Sequence, residues 1–493
     1  MADDRELDRM LEEEMTSAPP EEELLKEVTP WKKALRRIVW GIGLTTVTLH
    51  LLNLDLLLPA VGTVLLLLGA RTLRRENRWF TAFWGIAVAR LLWCWADLVG
   101  RATVWWVERD WTAAVWLWFG AVLVQYLCLW RGIKEVRRAA GQEPKAGAAG
   151  ALVWLYAVMF ALGLLQARGL PVLPVLVADF CVLCSLSRVS RLLDGAGYVV
   201  EAAPVRCPDR RLWAALALSL AVCIPLTGRL WGHYPMDWTA RDAGEQAGLE
   251  EVRADLLALG LPGYVLDDLA PEDLAALEVA VRVEQEIYVE PFGNARGVVT
   301  VQEGRRMTHT VYERELQMTS IAVELPGQRW RIIQHFLWQG DPPDWEGTEY
   351  LKLLPSYRWR DTYSPQGEPS GRVLCDRDGT TYIAPYDFLG ELDSSAALWA
   401  TFSLPADGAY CRGYVTYSFE TLYDKSVMDD RISYAHQMWW LNYPLMTARQ
   451  YDIAGFRREM GCFETVEFNL VFYPHRTGNS HPEDTDGAGE SLS

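Results

Sequence analysis

Apolar residues in the first half of the chain run in unbroken stretches, without the three-to-four residue spacing of a soluble amphipathic helix. Seven such stretches, approximately 38–54, 56–70, 79–99, 112–130, 149–166, 170–187 and 212–231, are predicted to cross a bilayer. The second is the shortest, roughly 15 residues against the usual ~20. Asn53, Asp55 and Pro59 interrupt the apolar run between 38 and 70, which favours a tight hairpin over one unbroken helix.

After Trp231 the pattern changes. Residues 247–286 read as short helices, one ending at Gly260 and Pro262, another opening at Pro271 and continuing through Ala280. From Ile287 onward alternation takes over. Strands are predicted at 298–301, 308–325, 330–338, 381–388, 397–404, 413–419, 432–440 and 465–473. Many short strands at such intervals predict an antiparallel sandwich. The expected fold is therefore a membrane all-α bundle of about seven transmembrane helices, followed by a soluble α+β domain. That domain is mainly an antiparallel β-sandwich with short N-terminal helices. The expected divisions are an acidic cytoplasmic tail and juxtamembrane helix (1–37), the helical membrane domain (38–231), a helical linker segment (232–286), an extracytoplasmic β-rich domain (287–475) and a disordered tail (476–493).

Charge adds orientation. Clusters of basic residues cap one end of the apolar stretches: Lys32, Lys33, Arg36 and Arg37; Arg71, Arg74, Arg75 and Arg78; Arg131 to Lys145; Arg188 to Arg211. The opposite ends carry about 3 (Arg101, Arg109, Arg168) against about 18, so the N-terminus is expected in the cytoplasm and the C-terminal domain outside. The net charge of −17 falls almost entirely after Trp231, and such an acidic half repels nucleic acid. The expected localisation is the plasma membrane, with the bilayer and a cell-envelope ligand or membrane protein as partners.

Two charges lie deep in the spans. Arg90 and Asp179 sit about 16 and about 12 Å from the inner ends of their helices. Matched depth predicts an intramembrane ion pair, serving either a solute or proton path or the packing of the two helices. His50 and Gln125 read as helix–helix hydrogen-bonding residues. Cys181 and Cys184 form a C-x-x-C in an apolar span and read as small fillers. In the C-terminal half no histidine has a neighbour at metal-ligand spacing, and no hydrolase, zinc-protease or phosphate-loop motif occurs, so no cofactor or metal is expected and catalytic residues stay unassigned. Of the many aromatics there, Trp345 and Trp359 flank a polar Pro-containing loop and are the candidate ligand platform.

The run from Trp40-Gly41-Ile42 to Asn53-Leu54-Asp55, then Leu58-Pro59-Ala60-Val61-Gly62 and Arg71-Thr72-Leu73, resembles a hairpin of uncharacterised bacterial multi-pass membrane proteins. The resemblance covers the first two spans and implies no activity. Three functions follow as expectations. The first is an envelope sensor or binding protein with an extracytoplasmic ligand- or partner-binding domain. The second is a small-solute transporter or membrane enzyme built on Arg90 and Asp179. The third is a structural or assembly component of an envelope complex.

Overall fold

The computed structural model describes residues 30–46, 54–165, 172–195, 203–204, 207–302, 305–340, 345–357, 366–391, 397–420, 428–454 and 462–472. The chain divides into two compact units, 1–100 with 108–224, and 101–107 with 225–493.

The first half forms α1 (Pro30–Thr46), α2 (Leu54–Leu73), α3 (Arg78–Gly100), α4 (Val104–Val107), α5 (Thr112–Ala139), α6 (Gly147–Leu164), α7 (Val172–Gly195) and α8 (Asp209–Trp231). Among the described residues five helices, α2, α3, α5, α6 and α8, are long and apolar enough to cross a membrane. This corrects the expectation of seven. Helix α1 has 17 residues and opens on Lys32, Lys33, Arg36 and Arg37, which shortens its apolar stretch below the bilayer requirement. Helix α7 carries Asp179, Arg188 and Arg191, and some of its positions lie outside the described residues. The second span, read as short, is a full 20 residues with Pro59 inside it. Membrane helices tolerate such a proline, and here the Thr63 hydroxyl donates to the Pro59 carbonyl at 2.6 Å.

Close approach of α1 and α2 explains their small residues. A Cβ on Gly62 would stand 2.8 Å from the Gly41 carbonyl oxygen, and one on Gly69 would stand 2.7 Å from that of Ala34. Small residues at these positions let the two backbones meet.

The second unit is built on strands β1 (Thr239–Ala240), β2 (Arg282–Gln302), β3 (Arg305–Leu325), β4 (Arg329–Gln339), β5 (Glu349–Tyr357), β6 (Gln366–Arg377), β7 (Thr380–Ala384), β8 (Phe388–Glu391), β9 (Leu398–Phe402), β10 (Ala409–Glu420), β11 (Met428–Gln437) and β12 (Phe463–Phe472). They form a seven-stranded sheet, β1-β7-β6-β10-β4-β3-β2, and a five-stranded sheet, β12-β11-β5-β9-β8. Every pairing is antiparallel. One core holds residues of both sheets, including Met318, Trp330, Phe336, Trp338 and Val415 of the first and Leu351, Phe402, Ile432, Tyr434 and Phe468 of the second. The alternation read in the sequence therefore points inward between two layers.

Three short helices, α9 (Glu250–Ala258), α10 (Gly263–Asp268) and α11 (Pro271–Ala275), pack Leu256, Val265, Leu266 and Leu274 against Ile321, Val323 and Ile333 of the larger sheet. Helix α11 stops at Ala275, short of the expected Ala280. A further short helix, α12 (Ala448–Ala454), precedes β12. Strands β5 and β6 are absent from the strands that alternation predicts. Pro355 weakens the first signal, and the second opens on Gln366-Gly367-Glu368-Pro369-Ser370-Gly371 before its four buried residues, Arg372 to Cys375.

Asp378 and Gly379 form the β6–β7 hairpin turn, with φ of 48° and 76°. Cys375 on β6 is disulfide-bonded to Cys411 on β10. A register shift between Ala409 and Arg412 brings the two positions together. Strands β2 and β3 pair from Arg282↔Glu324 to Gln302↔Arg305, with a register shift between Phe292 and Ala295, whereas β4 joins β3 only from Glu315 to Leu325. Beyond that point β2 and β3 form a two-stranded ribbon roughly 33 Å long.

Candidate intramembrane site

Charge buried in an apolar bundle needs a partner, and the helices supply one from an unexpected place. Arg90 on α3 is 4% exposed, and its Nη1 donates to Gln125 Oε1 on α5 at 2.6 Å. Its guanidinium carbon lies 5.3 Å from the ring centre of Trp118, two turns earlier on α5. Asp179 on α7 is 3% exposed. No ion pair joins it directly to Arg90, whose hydrogen-bonding partner is Gln125. Tyr126, next to Gln125, lies within electrostatic reach of both charges. Its ring meets Tyr156 of α6 edge-on at 4.7 Å, and the Tyr156 hydroxyl shares a 2.6 Å hydrogen bond with Thr46 of α1.

The result is a polar cluster with contributions from α1, α3, α5, α6 and α7. Three of its buried atoms, Arg90 Nε, Gln125 Nε2 and Asp179 Oδ1, have no hydrogen-bond partner in the protein. Two are donors and one an acceptor, so the cluster can bind a polar group or exchange a proton. The sequence singled out Arg90 and Asp179. It placed Gln125 in helix packing and did not single out Tyr126, Tyr156 or Thr46. Their signal was depth: Tyr126 and Tyr156 lie inside apolar stretches, away from the ends where Tyr normally anchors a span. His50 lies outside the described residues. Neither Cys181 nor Cys184 is in a disulfide, and Cys181 is exposed.

Of the ligand-platform pair, Trp359 lies outside the described residues. Trp345 is half-buried, and its Nε1 is buried without a partner. The neighbouring Glu346 accepts from His233 Nε2 at 3.2 Å, and His233 Nδ1 is likewise buried without a partner. Trp330, Trp338 and Trp399 belong to the core.

Polar groups elsewhere in the sandwich fasten its parts. Asp268 receives His335 Nε2 at 2.9 Å and Arg412 Nε at 2.8 Å, tying α10 to β4 and β10. Burial raises its pKa, but the hydrogen bond and charge of His335, together with Arg412, outweigh burial and hold the carboxyl below its ordinary value. Arg372 donates to Glu245 at 2.7 Å and to the Asp268 and Leu269 carbonyls at 2.9 Å each. Asp430 on β11 differs. Fully buried between the sheets, it accepts from Gln334 Nε2 at 2.7 Å. Burial pushes its pKa up to about 7, with a smaller push from Asp429, against the hydrogen bonds of Tyr417 and Gln334.

No family model matches the chain, and no curated protein matches it. Among solved structures, the chain is similar to one described as manganese lipoxygenase of Gaeumannomyces graminis with partial zonadhesin of Komagataella pastoris. That match has 8% identity and a TM-score of 0.17, covers 35% of this chain and spans 64% of that one. It is also similar to a pore-forming protein at 7% identity and TM-score 0.17, over 36% of this chain and 97% of that one. Similarity at this level says nothing of fold or activity.

Proposed function

We propose that this is a multi-pass envelope membrane protein whose polar cluster moves a proton, or a small polar solute with it, across the bundle. On this reading the five long apolar helices cross the bilayer, the basic clusters face the cytoplasm and the β-sandwich is extracytoplasmic. The disulfide supports the exported position of the sandwich, because such bonds persist in oxidising compartments. So does the inclusion of the Lys/Arg-poor connection 101–107 in the same unit as the strands, where the Leu445 amide donates to the Arg101 carbonyl at 2.7 Å.

The observation that carries the function is the trio of unpartnered buried atoms on Arg90, Gln125 and Asp179. Pairing confined to helix packing would leave fewer donors and acceptors unsatisfied in an apolar interior. A second reading, an envelope binding protein, is favoured by the unpartnered Trp345 Nε1 and His233 Nδ1. One comparison separates the two. In proteoliposomes under an imposed potential, internal acidification followed with a trapped pH dye should be lost in Asp179→Asn and kept in Trp345→Phe. Equal acidification by native protein and Asp179→Asn refutes the transport reading. Trp345→Phe removes the indole donor together with part of the ring, and on the binding reading it weakens capture of cell-wall fragments by at least about fivefold, one hydrogen bond's worth.

A further inference from the structure

Three apolar helices end at one level with their arginines around a cavity. Helix α2 ends at Leu73, α3 begins at Arg78 and α8 begins at Asp209. Between them lies a cavity of about 370 Å³, lined by Arg71, Arg74 and Arg75 on one side and by Leu67, Trp84 and Leu212 on another. The segment leading into α8 closes its rim. The Ala203 amide donates to the Thr72 carbonyl at 3.2 Å, Arg71 Nη1 donates to the Cys207 carbonyl at 3.0 Å, and Arg74 Nη2 donates to the Pro204 carbonyl at 3.3 Å. Among the described residues that line the cavity there are three arginines and no carboxylate, and Asp209 beside them is shared between Arg71 and Arg37. The cavity therefore keeps a positive excess. Arg71 Nε is buried without a partner, the Arg74 guanidinium lies 5.5 Å from the Trp84 ring centre, and Arg75 is exposed.

We propose that this cavity binds the phosphoryl group of an anionic phospholipid. Guanidinium groups match phosphate oxygens in geometry and charge. The apolar wall formed by Leu67, Trp84 and Leu212 suits a ligand with a hydrocarbon stem, which a free anion lacks. The level also fits, since ends of membrane-crossing helices lie at the headgroups, and basic pockets there select anionic lipid. The inference rests on the membrane reading of the helices, and the two can fail separately.

The test is thermal unfolding of the full-length protein in neutral detergent, with phosphatidylglycerol, phosphatidylcholine or inorganic phosphate added. Phosphatidylglycerol should raise Tm by about 3 °C more than phosphatidylcholine at saturating lipid. Arg75→Ala, and separately Arg74→Ala, should abolish that increment, each measured against its own lipid-free Tm so that altered basal stability does not enter. Equal shifts from the two lipids, or a full increment in both variants, overturn the proposal. A full increment with inorganic phosphate alone overturns the lipid assignment and leaves a free-anion site. Retention of the protein in membranes after alkaline carbonate extraction tests the membrane reading independently. Retained protein with no lipid-specific shift sinks the site alone.

Discussion

Asp430→Asn is expected to abolish most of the loss of stability that the β-sandwich undergoes as pH rises from 4 to 7. In the folded protein burial holds this carboxyl at about 7, against 3.8 for the ordinary group. Its folded pKa is raised, so its contribution is complete below the unfolded value and is lost as pH climbs through the folded one. Above pH 7 the loss levels off. The gap of about three pH units corresponds to about 4 kcal/mol, a large fraction of a domain's net stability. Asparagine keeps an acceptor for Gln334 and carries no charge. Urea unfolding of the full chain, followed by a β-sheet signal at pH 5 and pH 8, should show a marked fall for the native protein and little for the variant. Identical pH slopes in the two proteins would rule out Asp430 as the source.

Asp268→Ala should cost about 3–5 kcal/mol, because it leaves His335 and Arg412 buried around a missing carboxylate. Its pH signature is opposite to that of Asp430. With a depressed folded pKa, Asp268 contributes fully above its unfolded value and fails only as pH falls through the folded one. Between pH 5 and 8 the variant should therefore lose stability uniformly. Arg412→Met combined with Asp268→Ala should cost less than the sum of the two single changes, since both act on one pair. Strict additivity, or a loss below about 1 kcal/mol for Asp268→Ala, would contradict the assigned role.

Hydrophobic periodicity was enough to separate a helical half from a stranded one, because long apolar runs and period-two alternation have different physical causes. It was less able to count spans. Helix α1 begins among lysines and arginines eight residues before its apolar stretch, and composition alone does not reveal where such a helix starts to face lipid. Strand β6 was hidden for a related reason. Its first half is Gly, Pro and Ser, and it is held in the sheet by pairing with β10 rather than by its own propensity. At the candidate site, charge was visible and company was not. Arg90 and Asp179 stand out in any apolar run, whereas Gln125 and Tyr126 acquire meaning only once α5 is set beside α3 and α7. The same holds for Asp268 and Asp430, ordinary acids in the sequence and opposite in behaviour once one has cations beside it and the other has an amide.

The long ribbon of β2 and β3 has a practical use. The shared core takes Phe292 from one strand and Leu316 from the other, and β4 stops pairing with β3 at Glu315. Outward of that point the hairpin pairs with no third strand among the described residues, so its tip is a place where foreign sequence can be spliced in at little cost to folding. A protease recognition sequence grafted there would turn the β-module into its own reporter of membrane sidedness, cut in intact cells if exported and spared if not.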